Sequence, residues 1–76
     1  MSDEDDTKGW DAANLRAALA IKQMSQAALA RATGWSENTI TSYTTGRTAP
    51  SVAKLAKMAE VIGVRVIDLL PNGAQG

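Results

Sequence analysis

There is neither cysteine nor histidine in this 76-residue chain. The first absence rules out a disulfide and a thiolate zinc site; the second removes the commonest general base and metal ligand. What remains assembles no nucleophile and base pair, no phosphate-cradling loop and no metal-ligand cluster, so neither an enzyme nor a cofactor-binding protein is expected. No apolar run approaches the roughly 18 residues needed to cross a membrane. The N-terminus is acidic where a signal peptide is basic, which makes the cytoplasm the expected location. A chain this short has room for one domain with a small core, and none for a separate small-molecule-binding domain.

Net charge is missing too: eight basic residues balance eight acidic ones. The balance hides an asymmetry. Up to Asp11, the acids Asp3, Glu4, Asp5, Asp6 and Asp11 face Lys8 alone, leaving −4. From Ala12 onward, Arg16, Lys22, Arg31, Arg47, Lys54, Lys57 and Arg65 face Glu37, Glu60 and Asp68, leaving +4. A basic body behind an acidic segment suggests a polyanionic partner. Residues 1–10 read as a disordered acidic tail, which either aids solubility or competes with phosphates. Residues 11–70 read as the folded domain, and residues 71–76 as a flexible end.

The densest set of local signals runs from Ser25 to Tyr43, SQAALARATGWSENTITSY. Ser25 and Ser36 each precede a helical stretch and suit an N-cap, where a hydroxyl accepts from a free N–H of the first turn. Gly34 lies between the two stretches and suits the left-handed conformation in which a helix often ends. Leu29, Ala30, Ile40 and Tyr43 can meet in the angle, small Ala30 permitting close approach. These are the parts of a helix-turn-helix.

In the order Gln26, Leu29, Ala30, Gly34, Ile40, Tyr43, this stretch resembles the helix-turn-helix of the phage Cro and repressor family of bacterial DNA-binding transcription regulators. The likeness runs from about Leu15 to Leu70, through Gly46, Arg47, Pro50, Ser51 and the run Ile62, Gly63, Val64. It implies an all-α fold, a compact bundle of about five short helices with lambda-repressor-like architecture. It also implies a double-stranded DNA operator as partner and a homodimer as the binding species, with repression the expected role. The alternative is a protein-interaction module that kept the fold and lost DNA binding, motivated by the zero net charge and by Glu37.

The flanking segments supply the rest of the bundle. Asp11 suits the N-cap of a first helix reaching about Lys22, with Leu15, Ala18 and Leu19 inward and Ile21 and Met24 expected to continue that apolar surface. Trp10 either staples this helix or rests on a neighbouring subunit. Gly46 suits a positive φ in the loop from Thr44 to Ala49, and Pro50 precedes a cap at Ser51. Val52, Leu55, Ala59 and Ile62 then form the inward stripe of a fourth helix ending at Gly63. A short last helix is expected from about Val66 to Leu70, with more apolar residues than one turn can bury. Val66, Ile67 and Leu70 are therefore candidates for a symmetric dimer contact.

In a helix-turn-helix the start of the second helix enters the major groove, where each base pair shows a distinct donor and acceptor pattern. The candidate base-reading residues are Ser36, Glu37, Asn38, Thr41 and Ser42. Asn38 can bond adenine with both ends of its amide or bond a phosphate. Glu37 can accept from cytosine N4 or simply favour the helix dipole. Ser36 is first a cap. Gln26, Thr45, Arg47, Thr48 and Lys22 are the candidate backbone contacts, Gln26 being where the resemblance also places one. Two departures from the family stand out: Thr44 replaces a common Glu, and Arg65 replaces a common Ser or Asp cap. Trp35, large for a turn, is expected to pack on the fold.

Overall fold

The computed structural model describes residues 10–70. Of the segments read as tails, 1–10 and 71–76, all but Trp10 lie outside them. Among the described residues five helices follow one another: α1 (Ala12–Ile21), α2 (Gln26–Thr33), α3 (Glu37–Thr44), α4 (Val52–Ile62) and α5 (Val66–Leu69). No strand occurs among the described residues. The helix α2 packs on α3 and α4, α1 packs on α3 and α5, and α4 closes onto α5.

Each boundary has a local cause. Asp11, Ser25, Ser36 and Ser51 adopt extended backbone, and their side chains accept from Ala13, Ala28, Thr39 and Lys54 N–H respectively. These are the orphan donors a helix start leaves unpaired. The helix α2 ends on Gly34 at φ +82°, with nothing within 4 Å of where a Cβ would stand. An L side chain there would cost about 1–2 kcal/mol through backbone conformation alone. The helix α1 ends differently. Gln23, not glycine, takes φ +56°, and Met24 N–H closes back on the Leu19 carbonyl at 2.9 Å.

Leu15, Leu29, Ile40, Leu55, Met58 and Leu69 are fully buried at the centre, ringed by Ala18, Leu19, Ala30, Tyr43, Ala59 and Ile62. Two expected core positions are corrected. Ile21 is 76% exposed, because two residues beyond Leu19 is roughly 200° round the helix. Val52, at the first turn of α4, is 51% exposed, and Met58 takes its place in a stripe of Leu55, Met58, Ala59 and Ile62.

Three polar ties fix the bundle's ends. Asn14 Nδ2 donates to the Leu70 carbonyl at 2.8 Å, holding the end of α5 against α1. Arg16 Nη1 donates to the Thr44 carbonyl at 2.5 Å, and Trp10 Nε1 donates to the Tyr43 carbonyl at 3.1 Å. Trp10 thus staples α1 to α3 within one chain. Thr44 itself is buried, and its hydroxyl donates to the Thr41 carbonyl at 3.2 Å. Where the family often has a carboxylate, this fold has a self-satisfied hydroxyl, with the Arg16 guanidinium on the adjoining carbonyl.

Candidate nucleic-acid interface

The second motif helix is oriented from inside. Ile40 and Tyr43 are buried in the angle with Leu29 and Ala30, which turns the opposite face of α3 to solvent. Glu37, Asn38, Thr41 and Thr45 are exposed along that face, while Ser42 is only half-exposed. The turn before α3 is closed by hydrogen bonds: Gly34 and Trp35 N–H both donate to the Ala30 carbonyl at 2.9 and 3.1 Å. Trp35 is half-buried and packs, as expected, with its ring edge-on to Tyr43 at 6.4 Å. Lys54 Nζ lies over its face at 5.8 Å, a cation–π arrangement that brings a charge from α4 beside the turn.

At the head of α3, Ser36 Oγ caps Thr39 N–H at 3.1 Å and also meets Thr39 Oγ1 at 3.0 Å. Its first duty is therefore structural. Glu37 opens the helix, a carboxylate at the positive end of the dipole. Asn38 stands beside it, exposed. One turn on, Thr41 Oγ1 donates to Gln26 Oε1 at 3.2 Å, joining a candidate base reader to a candidate phosphate contact.

Thr45 caps the C-terminal end, its hydroxyl donating to the Thr41 carbonyl at 2.7 Å. That commits its proton within the fold and leaves only acceptor lone pairs. The loop then reverses through Gly46, at φ +80°. Arg47 and Thr48 N–H both return to the Ser42 carbonyl at 2.9 and 3.2 Å. The Arg47 side chain is exposed at this reversal. Lys22 lies apart from α3 along the chain: it caps α1, and its Nζ is 4.0 Å from the position a Gly63 Cβ would take, at the end of α4.

A helix-turn-helix family profile matches residues 15–69, from the first buried leucine to the last. The chain belongs to the Cro/C1-type helix-turn-helix family. It is thereby a DNA-binding transcription regulator, and the family is generally non-enzymatic. A solved structure described as a hypothetical transcription factor NHTF from Neisseria is similar to it, at 30% identity and a TM-score of 0.74. The likeness covers 96% of this chain and 85% of that one. No curated protein matches. Within the helix-turn-helix match fall both motif helices, the loop with Arg47, and all of α4 and α5.

The remaining candidates were those for a dimer contact. Val66 and Leu70 are half-buried against the core, Leu69 is fully buried, and Ile67 is 45% exposed. The apolar surplus expected of the C-terminus is thus largely absorbed, and Ile67 is the large apolar side chain that α5 presents outward. Beside it, between α1 and α5, runs a groove of about 330 Å³ lined by Asn14, Ala17, Ala18, Ile21, Val64 and Asp68. No helix among the described residues is long and apolar enough to cross a membrane.

Sequence reasoning missed Arg16 and Lys54 as contributors to the motif's frame. Their signal was weak, since a basic residue on a helix surface is most often solvated, and only the packing brings one to Thr44 and the other to Trp35.

Proposed function

We propose that this regulator is a repressor of the Cro, phage immunity or antitoxin type, binding a palindromic operator as a homodimer with α3 in the major groove. The observation that carries this reading is the division of α3. Buried Ile40 and Tyr43 hold an exposed row of Glu37, Asn38 and Thr41 away from the core.

Asn38 reads bases, its amide matching the donor and acceptor pair of adenine, and Glu37 accepts from cytosine N4. Ser36 and Ser42 contribute at the margin of the same surface. Gln26 at the dipole-positive start of α2, Arg47 in the loop after α3 and the Thr48 hydroxyl as a donor meet the phosphates, while Thr45, its proton committed to the Thr41 carbonyl, stands beside them as a helix cap. Lys22 adds positive potential from the end of α1. Ile67, with Val66 and Leu70 behind it, provides the contact about which two copies are related. The protein bound at its operator excludes the transcription machinery from the promoter, and affinity falls steeply with salt because phosphate contacts release counterions.

The experiment is selection of bound sequences from a random duplex pool. A symmetric motif with half-sites about 10 bp apart is expected. A single unpaired half-site would sink the homodimer, and no enrichment at all would favour the protein-interaction module instead.

A further inference from the structure

Gln26 opens α2 and Thr41 lies in α3, 15 residues later, yet their side chains meet. Among the described residues this is the hydrogen bond that joins the two motif helices side chain to side chain. Both residues are exposed, so the contact is not there to satisfy a buried group. What it settles is the orientation of an amide. A glutamine carries an acceptor oxygen and a donor nitrogen on one rotatable plane, and a phosphate takes only the nitrogen.

We propose that Thr41 is a positioning residue: by engaging Gln26 Oε1 it turns the Gln26 Nε2 outward, toward the phosphate, and it does not itself read a base. This rests on α3 being the helix that enters the groove. The backbone that carries this hydroxyl is itself tied down. The Thr41 carbonyl accepts from Thr45 N–H at 2.9 Å, from Thr45 Oγ1 at 2.7 Å and from Thr44 Oγ1 at 3.2 Å, which anchors the backbone behind it. The single hydroxyl proton goes to Gln26, so Thr41 has none to offer a purine N7 or O6. Pre-orienting one flexible side chain removes an ordering cost from binding, which corresponds to roughly three- to tenfold in affinity.

The test is a double-mutant cycle on the selected operator and on an unrelated duplex, joined to NMR of the free protein. Thr41→Val is expected to weaken binding to both duplexes by roughly three- to tenfold, and Thr41→Ser to restore it. In a Gln26→Ala background, Thr41→Val is expected to change nothing further. A changed preference at one base pair with unrelated DNA bound as before, or losses that multiply in the double variant, would overturn the proposal. In the free protein, side-chain couplings are expected to show one Gln26 conformer, averaged in Thr41→Val; averaging already in the wild type overturns the proposal. A fixed Gln26 in a chain that binds no duplex supports the contact and overturns the operator reading instead.

Discussion

Asn38 and Arg47 are exposed at opposite ends of α3, one at its first turn and the other in the loop beyond its last. Their distance from each other separates two kinds of contact that different measurements resolve. Arg47→Ala is expected to weaken binding to all duplexes alike and to reduce the salt slope by about 1. Asn38→Ala is expected to cost about 1–3 kcal/mol on the operator and to relax preference at particular base pairs, leaving the slope unchanged. Binding isotherms on matched and mismatched duplexes at several salt concentrations check both. At this scale the sequence was most legible where chemistry is local. Ser36 as a cap could be read from its place before a helical run. The Gln26 to Thr41 contact could not, because it depends on the angle at which two helices cross, and that angle is set by Leu29, Ala30 and Ile40 packing together.

Four of the five helices begin where a Ser or Asp stands, and those starts were legible because the capping oxygen is itself the signal. The fifth start was not. Arg65 supplies no hydroxyl or carboxylate, but Asp68 reaches back from the first turn, its Oδ2 accepting from Arg65 N–H at 3.0 Å and its Oδ1 pairing with the guanidinium at 3.4 Å. The cap has moved three residues inward. That backbone bond first, and then the side-chain bond, hold the Asp68 carboxyl below its ordinary value of 3.8. A depressed carboxylate contributes stability that is complete above its unfolded value and disappears as pH falls through the lower folded one. Asp68→Asn is therefore expected to melt below wild type at neutral pH, with the gap closing beneath about pH 4. Thermal melts across that range measure it. The end of α1 was similarly hidden, since a left-handed Gln23 carries none of the signal a glycine would.

As a whole molecule the chain has a small core, and among the described residues three large apolar side chains stay outside it, Ile21, Val52 and Ile67. The all-helical architecture was legible from helical periods and caps, whereas which apolar residues stay outside was not, because each helix stripe is trimmed by the neighbours it meets. Ile67 is the exposed apolar residue of the last helix, so Ile67→Glu is expected to dissociate the proposed homodimer. Operator affinity should then fall by about tenfold or more, while binding to an isolated half-site stays as it was. Sedimentation with and without DNA distinguishes the two effects. The two indoles supply a further handle. Trp10 bonds the Tyr43 carbonyl and Trp35 sets its ring against the Tyr43 ring, so both tryptophans of the chain lean on one residue of α3. The protein thus carries two intrinsic fluorophores in contact with the helix proposed to enter the groove, and its own emission can report what happens to that helix, with no label attached.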